Sequence, residues 1–241
     1  MMYKKLTIAL LLFVVFATVA CKKGEDPSKR VNGVSKVSYF AKALGTGIKT
    51  VGTKANGTFA ENAVVDWTFA SIYVEKISFV GVSDNLIDTT ISVQKNINLF
   101  SKDALTGVIQ LPAGSYKNVK VKMFLRKNGY PDLAFFLKGT FTNSQGGRDS
   151  LLLASSYPFE VNLGVPDIVI DPTEAYDVTF NFDLNKGLAG ISAESLQTAR
   201  SYGFAKPTTY VIWKGGSQDE PFYDQVIANW QTVASATIVK K

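Results

Sequence analysis

The 241-residue chain contains no histidine and a single cysteine, Cys21. Without imidazole there is no Ser-His-Asp or Cys-His catalysis, and zinc, copper and non-haem iron sites lose their commonest ligand. Nucleophile-elbow, phosphate-loop and dinucleotide-fingerprint motifs do not occur either. Ser92-Val93-Gln94-Lys95 has the S-x-x-K spacing of lysine-activated serines. That motif needs both side chains on one helical face, whereas this segment alternates as a strand, where positions three apart point to opposite faces. Asp167, Asp171, Glu174, Asp177 and Asp183 gather enough oxygens for a hard cation, but not in the order of a calcium loop, and they read as solvated turn carboxylates. Glycosidase chemistry would need two acids across a cleft, which spacing alone does not place. The expectation is therefore a non-enzyme, with no catalytic residue, metal ligand or cofactor assigned.

Two further groups could bind rather than catalyse. Lys117, Lys120, Lys122, Arg126 and Lys127 make a basic strand-and-turn segment. Lysines on the wet face of a strand are ordinary protection against edge pairing, and that reading is preferred. Trp67, Tyr73, Tyr210 and Trp213 would be sugar-stacking platforms if exposed, although large aromatics dominate sandwich interiors. The chain carries 26 basic against 20 acidic residues. So small a surplus, spread along the sequence, gives no argument for nucleic acid.

The N-terminus opens with Lys4-Lys5, continues with an apolar run from Leu6 to Ala20, and reaches Cys21 through small residues. The run is shorter than the ~20 apolar residues a membrane-spanning helix needs, so it reads as a targeting segment, residues 1–20. Thr18-Val19-Ala20-Cys21 resembles a bacterial lipobox, with Thr18 where the pattern prefers leucine. The resemblance implies that Cys21 is lipidated and becomes the mature N-terminus, attached to the outer membrane. The lone cysteine at that position fits, because it has no disulfide to make. Residues 21–33 are charged and contain Gly and Pro, the composition of a flexible tether. Lys22, Lys23, Glu25 and Asp26 are similar to the surface-export signals that follow the lipidated cysteine in Bacteroidetes, which implies display on the cell surface; a plain linker facing the periplasm is the alternative.

Residues 34–241 read as one β-sandwich, mainly antiparallel, with a possible subdivision near 157–171. Alternation marks strands at Val34–Leu44, Val64–Phe69, Ile72–Val80, Ile91–Leu99, Val119–Met123 and Leu133–Phe141, then at Leu151–Ala154, Phe159–Leu163, Ile168–Ile170 and Val178–Leu184. Ala70-Ser71 separates two of these strands. Ser192 is placed to cap a helix from Ala193 to about Ser201, and Phe222, Tyr223, Val226, Ile227, Trp230, Val233 and Ala234 recur at helical spacing, which predicts an amphipathic helix from about Glu220 to Ala234 with Pro221 in its first turn.

In Leu111-Pro112-Ala113-Gly114-Ser115-Tyr116, proline ends a strand, glycine permits the turn and tyrosine opens the next strand. The segment resembles a turn of transthyretin-like and fimbrillin-like β-sandwich lipoproteins of Bacteroidetes. That resemblance implies a lipid-anchored, non-enzymatic envelope protein: a surface adhesion or fimbria-like structural module, or alternatively a glycan- or protein-binding accessory lipoprotein of an uptake system. Its partners would be the membrane, through the anchor, and another surface protein or glycan. Asp88-Thr89-Thr90 and Asp149-Ser150-Leu151 are similar to the short pattern that Bacteroidetes O-glycosylate, making Thr89 and Ser150 candidate modification sites.

Overall fold

A computed structural model describes residues 33–44, 62–101, 104–126, 128, 132–202, 207–214 and 221–241. The expectations for the signal, Cys21, Lys22, Lys23, Glu25, Asp26 and Lys127 lie outside these residues.

In chain order the described elements are β1 (Val34–Leu44), β2 (Val65–Val82), β3 (Leu86–Asn98), β4 (Leu105–Pro112), β5 (Gly114–Leu125), β6 (Phe135–Thr142) and β7 (Arg148–Ser155). There follow β8 (Phe159–Gly164), β9 (Ile168–Ile170), β10 (Tyr176–Asp183), a 3-10 turn (Leu184–Leu188) and α1 (Ala193–Leu196). The chain closes with β11 (Arg200–Tyr202), β12 (Thr209–Lys214), α2 (Tyr223–Val233) and β13 (Ala234–Lys240). The protein is mainly β, a sandwich of two open sheets rich in antiparallel pairs. One sheet has the order β13-β10-β1-β4; the other runs β11-β12-β7-β6-β2-β5-β8, with β3 on β2 and β9 on β5. β1 pairs in parallel with β10, and β7 with β12. Strands on either side of residues 157–171 thus share both sheets.

The two layers are held together by the period-2 pattern. β10 buries Tyr176, Val178, Phe180 and Phe182, and β1 buries Val37, Tyr39, Ala41 and Ala43. Tyr39 stacks on Phe180 at 5.7 Å between ring centroids, and burial pushes its phenol above the ordinary tyrosine range. Each large side chain taken from water contributes about 1.5–3 kcal/mol, so these two strands alone make the interface strongly favourable. The other layer answers with Ile72, Val74, Ile77, Met123, Phe135, Leu137 and Leu153, all essentially inaccessible.

β2 corrects the expected division at Ala70-Ser71: it is one strand of 18 residues. It stays continuous because bulges absorb its irregularities instead of breaking it. Trp67 faces Gly139 and Phe69 faces Lys138, which leaves Thr68 as the extra residue; a second shift falls between Val74 and Lys76. One edge of β2 pairs first with β6 and then with β5, while the other pairs with β3. Gly139 is required at the first bulge, because a Cβ there would come within 2.4 Å of Val65 Cγ1 and 2.7 Å of the Asp66 carbonyl.

The helices are shorter than the periodicity predicted. Ser192 caps α1 as expected, accepting a hydrogen bond from the Ser195 amide at 3.0 Å, but the helix stops at Leu196 and residues 200–202 become β11. α2 begins at Tyr223; Pro221 and Phe222 form the turn before it, with Phe222 in the left-handed region (φ 69°). Trp230 of α2 plugs the space between the layers. It stacks on Phe135 at 4.7 Å and meets Phe159 and Phe182 edge-on at 5.5 and 6.0 Å. The helix also protects a sheet edge: the Gln231 side chain donates to the Glu160 carbonyl at 2.6 Å and accepts from the Asn162 amide at 3.4 Å, occupying the side of β8 with which no described strand pairs.

At the β4–β5 turn, Pro112 closes β4 and Tyr116 returns its hydroxyl to the Pro112 carbonyl at 2.7 Å. The turn carries the chain from one sheet to the other, and a Cβ at Gly114 would lie 2.7 Å from Ser83 Oγ.

Candidate functional site

Ser92 stands opposite Lys76 and Lys95 opposite Val74 in the edge strand β3, with Gln94 in the left-handed region between them (φ 47°). Lys95 turns its ammonium to the Leu105 carbonyl at 3.3 Å. The S-x-x-K pair is not brought together.

The acidic group is dispersed along the turns around β9 and β10. Asp167 accepts from the Asn118 amide at 3.1 Å, and Asp171 from the amide and hydroxyl of Thr173 at 2.9 and 2.7 Å. The two bonds from Thr173 hold the Asp171 carboxyl below the ordinary carboxylate range. Glu174 pairs with Lys240 at 3.1 Å and Asp177 with Lys241 at 2.8 Å. Among the described residues no three carboxylates are placed to hold a metal ion. Glu174 and Asp177 act as clasps: they fasten Lys240 and Lys241, at the end of the chain, to the turn before β10 and to β10 itself.

In the basic segment, Lys122 pairs with Glu160 at 3.3 Å and Arg126 with Glu75 at 3.5 Å, while Lys76 lies over the Phe124 ring at 4.5 Å. On this half of the large sheet the outward residues are mainly polar, with Lys117 and Lys120 exposed beside the exposed Val82 and Leu86. The modification candidates differ in setting. Thr89 lies half-buried in the edge strand β3 opposite Phe79, and Ser150 lies in β7, flanked by Thr140 of β6 and Thr209 of β12.

The aromatics separate. Trp67, Tyr73 and Tyr210 are buried, and Trp67 donates its indole N–H to Asn185 at 3.1 Å. Trp213 is 45% exposed. Directly paired residues of neighbouring strands point to the same side of a sheet. Trp213 faces Ala154, which faces Phe136; Val211 faces Leu152, which faces Lys138, which faces Phe69. Leu151, Leu153, Leu137 and Ile212, of the opposite parity, fill the core. Trp213, Phe136 and Phe69 consequently share the outer face of β12, β7, β6 and β2. Phe69 is 39% exposed and meets the Phe136 ring edge-on at 5.7 Å. Ala154 is buried beneath its neighbours, and the Lys138 ammonium stands 5.2 Å from the Phe136 centroid.

A hydroxyl-bearing row borders this strip: Tyr202 opposite Thr209, Ser150, Thr140 and Asp66. Arg148 reaches Asp66 at 2.6 Å and also bonds Thr140. Past it, at the β6–β7 hairpin, an open depression of about 570 Å³ is lined by Asn143, Gln145, Gly147, Arg148, Asp149 and Pro207. The buried Asp149 carboxylate is committed to structure there, accepting from the Thr208 amide at 3.0 Å and Asn143 Nδ2 at 2.8 Å.

Phe69 and Phe136 had no distinguishing signal in the sequence. Only strand order reveals that they meet Trp213 on one surface. Compared with known proteins, the chain matches no family model, no curated protein and no solved structure. No helix among the described residues is long and apolar enough to cross a membrane.

Proposed function

We propose that this protein is a non-enzymatic binding module of the cell envelope, lipid-anchored through Cys21 to the outer membrane and facing outward, whose working surface is the outer face of β12, β7, β6 and β2. One observation carries the reading: exposed aromatics cluster there, on a face that in an antiparallel sheet is normally polar. The accessory-lipoprotein role, holding a glycan or protein for a surface system, fits this better than a purely structural one. The missing histidine and the single cysteine at position 21 agree with work done by shape and surface instead of by covalent chemistry.

The fimbria-like or adhesive reading draws support from β13. Among the described strands it pairs with β10 alone, and Ser235, Thr237 and Val239 are exposed along it, a geometry open to strand addition.

The test uses the intact, membrane-anchored protein. Cys21→Ser should move it from the membrane to the soluble fraction, since firm anchoring depends on the acyl chains. A photo-cross-linking residue at position 213 should capture a surface component that the same residue at the exposed position 90, on the polar half of the sheet, does not. Equal capture at both positions, or none at 213, would remove the assignment.

A further inference from the structure

We propose that the end of the sandwich at which the chain enters the fold, at Gly33, makes a second membrane contact: a rim of aliphatic side chains that rests on the lipid surface and sets the tilt of the domain. The inference rests on the lipid-anchor part of the reading above and adds what the folded domain itself does at the bilayer.

Strand pairing gathers this end from distant parts of the chain. Val34, the first residue of β1, faces Pro112, the last of β4, and the Gly33 carbonyl accepts from the Ala113 amide at 2.9 Å. Because β1 and β10 run in parallel, the turn before β10 lies here too, and the Ser35 hydroxyl donates to the Asp171 carbonyl. The end of β13 comes with it, Lys240 facing Tyr176. From the other side come β9, whose Val169 faces Ser115 near the start of β5, and the β2–β3 turn, where Val82 faces Leu86.

Among the described residues the four most exposed large hydrophobic side chains are Val169, Leu86, Val34 and Val239, at 68, 65, 56 and 55%. All four belong to this end, and the exposed Val82 joins them. Single exposed aliphatics are ordinary on a protein surface, whereas a gathering of the most exposed ones at one end marks a contact. They are spread around the end: Val34 and Val239 on the small sheet, Val82 and Leu86 on the large one, Val169 on β9. A folded protein partner needs about 800 Å² of continuous, complementary surface, which a rim does not supply. A fluid lipid interface conforms to a rim.

Polar groups at this end agree with that occupant. Lys36 and Lys117 are exposed here and can extend their ammonium groups to headgroup phosphates while their stems stay with the aliphatic rim. Four of the carboxylates are engaged within the protein, Glu174 by Lys240, Asp177 by Lys241, Asp171 by Thr173 and Asp167 by the Asn118 amide, which limits repulsion from those phosphates. The chain outside the fold supplies the remaining argument. Lys22 to Gly33 is twelve residues, at most about 40 Å of chain, so an acylated Cys21 keeps this end within reach of the bilayer. A contact held by a tether is intramolecular, and a few aliphatic side chains then suffice.

The experiment uses the intact, acylated protein in vesicles of phosphatidylcholine, alone or mixed with phosphatidylglycerol. With Cys21 acylated, a cysteine introduced at position 86, 169 or 44 is the one free thiol for an environment-sensitive fluorophore. Leu44 is exposed at the other end of β1, about 33 Å from Val34. Quencher-bearing lipids should quench the fluorophore at 86 and at 169 at least threefold more than at 44, in both kinds of vesicle. Val34→Ser combined with Leu86→Ser should lower quenching at 169 to the level at 44, with the protein still in the vesicle fraction and its circular dichroism unchanged. Equal quenching at all three positions in vesicle-bound protein overturns the proposal and leaves the anchor reading standing. So does a contrast that needs phosphatidylglycerol, or a blue-shifted but unquenched fluorophore at 86 and 169, the sign of a protein occupant. Protein that stays out of the vesicles with an unmodified Cys21 removes the anchor reading, and this proposal with it.

Discussion

Trp230→Ala should destabilise the sandwich more than any surface change, because the indole is 1% exposed and touches aromatics of both layers: Phe135 and Phe159 on one side, Phe182 on the other. Truncating a buried Trp to Ala costs about 3–5 kcal/mol, through lost transfer energy and the cavity left behind. For a domain of this size 1 kcal/mol moves Tm by about 2–4 °C, so the midpoint should fall by roughly 6–20 °C. Trp230→Phe separates two contributions. It retains one ring against Phe135, and it removes the indole N–H, which has no hydrogen-bond partner among the described residues. An unsatisfied buried donor costs about 1–3 kcal/mol, which offsets much of the lost contact and leaves a net cost under about 1.5 kcal/mol. Urea unfolding followed by far-ultraviolet circular dichroism, with linear extrapolation, measures both. If Trp230→Ala costs less than about 1 kcal/mol, α2 does not close the core. If Trp230→Phe costs as much as Trp230→Ala, the N–H is satisfied and the argument fails.

Asn185→Ala should cost about 1–3 kcal/mol in the same assay, because the Asn185 carbonyl accepts from both the Val65 amide and the Trp67 indole at 3.0 and 3.1 Å; Asn185→Asp, which keeps the acceptor, should recover most of that loss. Gly139→Ala should cost about 1–3 kcal/mol, since the new methyl meets backbone that cannot swing aside, and a crystal structure of the variant should show β2 displaced at its first bulge. Gln231→Ala should leave the β8 edge without its side-chain cover and raise self-association, read by sedimentation velocity, with only a small loss of monomer stability. The turn before β10 and the end of β13 should loosen at opposite ends of the pH scale. Asp171 titrates below its ordinary range, chiefly through its two bonds from Thr173, so its hold on the turn is present above about pH 4 and is lost as pH falls through the folded value; Lys240 titrates above its ordinary range, chiefly through its bond to Glu174, so its contribution is present below about pH 10 and is lost as pH rises. Exchange rates of amides in the 171–174 turn and in β13 would register the two limbs.

Strand identity was readable wherever one face is buried. β10 is the clearest case, with Tyr176, Val178, Phe180 and Phe182 inside and Thr179 and Asn181 only half-covered. The Ser192 cap was equally legible, because it depends on residues three apart and on nothing distant. Bulges hid the rest. Trp67 and Phe69 have the same parity in the sequence, so a strict alternation puts them on one side; the extra residue Thr68 sends the first inward and the second outward. The outer strip was hidden for a related reason. Phe69, Phe136 and Trp213 lie far apart in the chain, and they meet because β6, β7 and β12 are neighbours, one of those pairings being parallel. Helix ends were overextended where tertiary pairing took over, as when residues 200–202 joined β12.

The sheet β13-β10-β1-β4 contains no two partners that are consecutive in the chain; Val37 of β1, for example, waits for Tyr176 of β10. The other sheet holds local hairpins, β2 with β3 and β6 with β7. Closing a long loop must precede the contacts that reward it, so high-separation pairing is slow. Folding accordingly acquires an order in time: the hairpin-rich layer can form early, while the layer containing β1 assembles only after nearly the whole chain is available. Pulsed hydrogen exchange would show that lag as late protection of β1 and β10. For the exported chain proposed above, threaded through a channel before it folds, the delay would keep the first strand loose until the last has emerged.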